Sequence, residues 1–113
     1  MSIFTMKRGD TSPVLEAVLR DGDGTPMSLA GASVELRMKK RSHDFHLSKA
    51  ASVSDPSEGV VQYQWYDGDT DVPGLYMTDF VVTFPDGSVE TFPNGGYMTV
   101  HILGTAESDE DEN

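Results

Sequence analysis

The side chains able to do acid–base or metal chemistry in this chain gather at three places. His43 and His46 flank Asp44 in the segment Lys39-Lys40-Arg41-Ser42-His43-Asp44-Phe45-His46, where two imidazoles and a carboxylate could hold a metal ion. The same segment is the one basic cluster of the chain, and histidines beside lysines on a loop are more simply solvated. The other two places are aspartate-rich turns. Asp21, Asp23 and Thr25 match the first three ligand positions of a calcium-binding loop, but Pro26 stands where a glycine must bend the chain and Ala32 where a bidentate glutamate must close the shell. Asp67, Asp69 and Asp71 repeat the match and fail in the same way, with Val72 and Thr78 at those two positions. Turn chemistry explains both, so no metal site is assigned. His101 alternates with Val100 and Ile102 and is expected to face outward.

No catalytic constellation is visible. There is no glycine-rich phosphate loop, no Gly-x-Ser-x-Gly elbow and no His-Glu-x-x-His motif. Cysteine is absent, which removes thiolate catalysis, disulfides and Cys-ligated zinc. Nothing locates a cleft with paired carboxylates, and the apolar residues are needed for a core. A non-enzymatic protein without a cofactor is expected.

Charge narrows the partners. The 113 residues carry 19 acids against eight lysines and arginines, a net −11. Phosphate binding needs a clustered basic face, so nucleic acid is disfavoured, and an anionic membrane surface for the same reason. Five of the carboxylates lie between Glu107 and Asn113, leaving fourteen acids against eight bases in residues 1–106, a net −6. Such a block repels itself and is expected to stay solvated, which divides the chain into a folded unit over 1–105 and an acidic tail over 106–113. No apolar run is long enough to cross a membrane, and the first eight residues lack the pattern of a signal peptide, so a soluble, cytosol-made protein is expected.

The elements that must position these groups read as strands. Val34, Leu36 and Met38 alternate with Glu35, Arg37 and Lys39, the period of a half-buried strand. Val61, Tyr63 and Trp65 repeat this, as do Tyr76, Thr78, Phe80, Val82 and Phe84, and then Met98, Val100 and Ile102. Weaker strands are expected over 3–7, 13–20, 45–53 and 89–92. Segment 14–20 also has the length of a helical turn or two, but it ends in Asp21-Gly22-Asp23-Gly24 and a helix so short is marginal alone. Pro85-Asp86-Gly87-Ser88 reads as a tight hairpin. Short strands with turns at this spacing predict an all-β, immunoglobulin-like antiparallel β-sandwich of seven to eight strands. Gly74 two residues before Tyr76 has the spacing of a tyrosine corner, in which a phenol reaches back to an upstream backbone group. The core is expected to centre on Tyr63, Trp65, Phe80 and Val82.

The order of these segments resembles the immunoglobulin-like N-terminal domain of phage upper baseplate proteins. The resemblance starts at Phe4-Thr5-Met6-Lys7-Arg8-Gly9-Asp10-Thr11 and runs through Met27-Ser28-Leu29-Ala30-Gly31-Ala32-Ser33-Val34 and Gly59-Val60-Val61-Gln62-Tyr63-Gln64-Trp65. It continues with Asp69-Thr70, Pro73-Gly74-Leu75-Tyr76, the Asp86-Gly87 hairpin and Gly96-Tyr97-Met98-Thr99-Val100-His101-Ile102. It implies a structural component of a tailed-phage virion: a tail, baseplate or neck adaptor, multimeric in the particle, with other virion proteins as partners and no catalytic residues. A capsid decoration protein of the same fold is an alternative. So is a carbohydrate-binding or adhesin-type module using Tyr66 and Tyr97, which parity turns away from the core. Contacts are expected at Ile3 and Phe4 on a terminal edge strand, at Lys39, Lys40 and Arg41 in the basic loop, and at Tyr66 and Tyr97.

Overall fold

The computed structural model describes residues 3–40 and 46–105. Eight strands account for most of them: β1 (Ile3–Lys7), β2 (Leu15–Val18), β3 (Ser33–Lys40), β4 (His46–Asp55), β5 (Val60–Tyr63), β6 (Gly74–Thr83), β7 (Val89–Phe92) and β8 (Met98–Leu103). A single 3₁₀ turn, Pro56–Glu58, is the one helical element among the described residues. The fold is all-β, and none of the described segments is a helix long and apolar enough to cross a membrane.

The strands pair in the order β1-β8-β6-β3-β4-β5-β2, with β7 added to β6 beyond the end of β8. The path folds into two layers because β4 changes partners along its length. Residues 46–51 pair with β3, residues 52–55 pair with β5, and the register shifts between Val53 and Asp55. A bulge of this kind bends a strand and lets it turn the corner of a sandwich. The large sheet is thus β4-β3-β6-β8-β1, and the small one is β4-β5-β2. This is the connectivity of an immunoglobulin-like β-sandwich of eight strands. One expectation needs correction: β1 runs parallel to β8, Ile3 opposite Thr99 through Lys7 opposite Leu103, so the sandwich is not wholly antiparallel. β1 and β8 are the first and last strands, so no hairpin joins them and none imposes an antiparallel direction.

The period-2 pattern sets which residues are inside. Leu36, Tyr63, Tyr76 and Val82 are fully buried, as are Phe80, Phe92, Val100 and Ile102 to within 1%. Trp65 lies two residues past the end of β5 rather than on it, yet is 3% exposed, because its ring meets Tyr63 edge-on at 5.1 Å and its Nε1 donates to the Pro13 carbonyl at 3.1 Å. Burying a ring of this size stabilises by several kcal/mol, and Trp65→Ala belongs to the class of changes that cost about 3–5 kcal/mol.

Two glycines hold conformations that side chains resist. Gly59 closes the 3₁₀ turn at φ +70°, and a Cβ there would stand 2.7 Å from the Leu19 carbonyl oxygen and 2.9 Å from that of Met27. Gly74, at φ +150°, leaves room for the Lys40 side chain, whose Cε would be 2.5 Å from an added Cβ. The 14–20 segment is a strand, β2 followed by an isolated bridge from Arg20 to Pro26. The expected strand over 45–53 is β4, begun one residue later and extended to Asp55.

Candidate functional site

One aspartate in each of the two acidic turns is already engaged within the fold, Asp21 by backbone amides and Asp69 by two side chains and an amide. Asp21 Oδ1 accepts from the Asp23 and Thr25 amides at 2.8 and 3.1 Å. Asp69 is 4% exposed and fully engaged: Oδ1 accepts from Lys49 Nζ at 2.9 Å, and Oδ2 accepts from the Tyr63 hydroxyl at 2.6 Å and the Tyr66 amide at 2.8 Å. Burial, then the hydrogen bond to Asp69, pushes the Tyr63 phenol well above its ordinary range. Lys49 reaches Asp69 because it shares the inner face of β3 and β4 with Leu36, at the margin where its stem packs and its head finds the carboxylate. Its ammonium also lies 4.7 Å over the Tyr66 ring, so one face of that ring is covered. Nothing in the sequence announces this pairing of Asp69 with Lys49; a carboxylate six residues after a core tyrosine is its one signal.

The Tyr76 hydroxyl donates to the carbonyl of Val72, four residues upstream, and Gly74 sits between them. Burial pushes the Tyr76 phenol up to about 12. Among the described residues no cluster of three or more His, Asp or Glu is placed to hold a metal. His43 and Asp44 lie outside the described residues, and His46 opens β4.

The residues expected to make contacts are not brought to one place. Ile3 is 67% exposed and Tyr66 59%, and Lys39 is exposed on β3. Phe4 points inward, half-buried and stacked on Trp65 at 6.3 Å, so β1 presents Ile3, Thr5 and Lys7 instead. Lys40 is half-buried over Gly74, Tyr97 is half-buried, and Arg41 lies outside the described residues. His101 is on the outer face as expected, half-buried, between Thr5 and Leu75. The acidic tail over 106–113 also lies outside the described residues.

Open grooves mark the surface of the described residues, and two of them touch residues expected to make contacts. One, of about 590 Å³, runs along the seam between the two end strands β1 and β2 and is lined by Ile3, Phe4, Ala17, Val18, Pro93 and Met98 among others. The other, of about 540 Å³, lies against the outer face of the large sheet beside Arg37, Lys39, Ser48, Met77, Asp79 and Tyr97.

That outer face is the less ordinary surface. An antiparallel sheet with one wet side is normally polar there. On β6, however, the outward positions are Leu75, Met77, Asp79 and Val81, with Leu75 56% exposed. The single charge among them is neutralised on the spot: Arg37 Nε and Nη2 donate to Asp79 at 2.9 and 3.1 Å, a bidentate pair. The hydrogen bond with Asp79 holds the guanidinium above its ordinary value. Glu35, next along β3, accepts from the Ser48 hydroxyl. Chemically this surface offers packing and ion pairing.

No protein-family model matches the sequence, and a search of curated proteins gives no match either.

Proposed function

We propose that this chain is a non-enzymatic structural component of a tailed-phage virion, an adaptor of the tail, baseplate or neck that works through its surface. The observation that carries the assembly part of this reading is the outer face of the large sheet, where the exposed Leu75 and the half-buried Met77 and Val81 lie along β6 on either side of an ion pair closed within the chain. Contiguous apolar surface on an open sheet face is a feature of interaction sites. The end strands add a second means of contact: β1 and β2 each have a strand partner on one side only, and an edge of this kind can pair with another chain.

The virion setting rests on the ordered resemblance of the sequence motifs to the phage upper baseplate domain. In a particle, copies are repeated by symmetry, so a modest interface is multiplied by valency. Acid–base catalysis has no part in the proposal, since the buried carboxylate Asp69 is committed to three donors.

The test is fractionation of particles. Expressed from its native context, the chain should co-purify with intact particles through density-gradient centrifugation, at a fixed ratio to other structural proteins. Met77→Glu, which places a charge in the apolar face, should remove it from particles while leaving its melting transition in place. Enrichment only in the unassembled soluble fraction would end the proposal.

A further inference from the structure

The register of β3 against β6 lays out the outer face as paired columns. Lys39 lies beside Met77, Arg37 beside Asp79, and Glu35 beside Val81. The six side chains sum to zero charge, on a body whose net charge is −6 over residues 1–106. The arrangement is self-complementary under one particular rotation. A two-fold axis parallel to the strands and midway between β3 and β6 puts the β3 column of one copy over the β6 column of another. Arg37 then faces Asp79 of the second copy and Asp79 faces its Arg37, a quartet of alternating sign. Lys39 lies over Met77 of the second copy and Glu35 over its Val81, so that the methylene stems cover the apolar side chains while the charged heads reach the rim.

We propose that two copies of this chain pair face to face through the outer surface of the large sheet, about this axis. The inference deepens the assembly role proposed above and rests on it. Charge favours a second copy over other occupants. The rest of residues 1–106 carries the whole net −6, and a strongly basic or acidic partner would leave half of this balanced strip opposed by like charge. Lys39 has no ion-pair partner among the described residues and is available to the rim. The size of the face sets the strength. Four strands about 4.8 Å apart and four outward rows about 6.7 Å apart cover roughly 500 Å² in plan. Both copies together therefore bury about 1,000 Å², at the lower end for a specific interface, which makes a concentration-dependent dimer rather than an obligate one. Isologous packing of this kind closes on itself and gives dimers without further growth.

Sedimentation equilibrium on the full chain, from about 10 μM to 1 mM, tests the pairing. The wild type should pass from monomer to dimer within that range. Arg37→Asp and Asp79→Arg should each weaken self-association at least about tenfold, since each sets like charges across the axis. An equimolar mixture of the two variants should restore association as a heterodimer, detected by native mass spectrometry, because an all-acidic pair then meets an all-basic one. Circular dichroism melts confirm that the variants fold, and Met77→Glu gives an independent disruption that leaves the ion pair alone. A wild type that is monomeric at 1 mM overturns the proposal, as does a dimer indifferent to all three substitutions, or a mixture that stays monomeric. A chain present in particles but monomeric at 1 mM overturns the pairing and leaves the virion role; a chain that dimerises yet is missing from particles does the reverse.

Discussion

Replacing Asp69 by alanine should cost this protein a large part of its stability, and the structure gives the size. The carboxylate is 4% exposed and accepts from three donors. The Tyr63 side chain is fully buried, so its hydroxyl, 2.6 Å from Asp69, has no water to turn to. The Tyr66 amide also loses its acceptor. Each buried donor left unsatisfied costs about 1–3 kcal/mol. Lys49 contributes little, because its side chain is 43% exposed and the ammonium regains water. The sum is about 3–4 kcal/mol out of the 5–15 typical of a domain, or roughly 15 °C in the melting temperature. Asp69→Asn separates geometry from charge. Its Oδ1 has two lone pairs and can accept from both Tyr63 and Tyr66, so only the partly exposed Lys49 contact is lost and the cost should be about 1 kcal/mol. Urea unfolding followed by tryptophan fluorescence is a suitable assay, since Trp65 packs against Tyr63 and reports on this corner. An Asp69→Ala cost below about 1 kcal/mol, or equal costs for the two variants, would show that the Tyr63 and Tyr66 donors do not depend on this carboxylate.

Alkali should unfold the protein through its buried phenols. Tyr76, raised from 10.0 to about 12, and Tyr63, raised further, hold their protons more tightly folded than unfolded. Their contribution is fully present below pH 10 and is lost as the pH rises from there through about 12; in absorbance titration two of the four tyrosines should ionise only with unfolding. Gly59→Ala should destabilise by about 2 kcal/mol or more in chemical denaturation, since a Cβ meets backbone carbonyls at 2.7 and 2.9 Å in a left-handed conformation, whereas Gly87→Ala, with open space around it, should cost only the strain of its φ. Deleting residues 107–113 should leave the melting transition within a few degrees in calorimetry, because the core lies wholly within residues 6–102.

The strands were legible because their inner faces are so consistently apolar. Val34, Leu36 and Met38 are all buried with polar neighbours between them, and β1 and β7 have the bounds that their sequences suggest. Pairing was less accessible. Nothing in Ile3–Lys7 distinguishes a parallel partner from an antiparallel one, since that depends on how the chain enters the sandwich. The passage of β4 from one sheet to the other depends on a register shift at Val53 and Asp55, which small polar residues such as Ser52 and Ser54 do not announce. Lys49 carries no sequence signal of its role; its position opposite Leu36 directs it to Asp69.

The outer face was hidden for a related reason. On β6 the inward set Tyr76, Thr78, Phe80 and Val82 is apolar enough to fix the register alone, so the outward Leu75, Met77 and Val81 add to a continuous apolar run and lose their separate meaning. Only the sheet order, which makes β6 central and leaves its outer side uncovered, gives them one. The same order shows that Phe4 serves the core and Ile3 the surface, a distinction that two adjacent apolar residues at a strand start do not make.

Assembly through the outer face of the large sheet is tested most directly by quantitative mass spectrometry of purified particles. Such assembly predicts the wild-type chain at a fixed copy number in intact particles and its loss from them on Met77→Glu, with the variant still folded in solution. Wild-type particles that lack the chain, or particles that carry the folded Met77→Glu variant at the wild-type copy number, would contradict it.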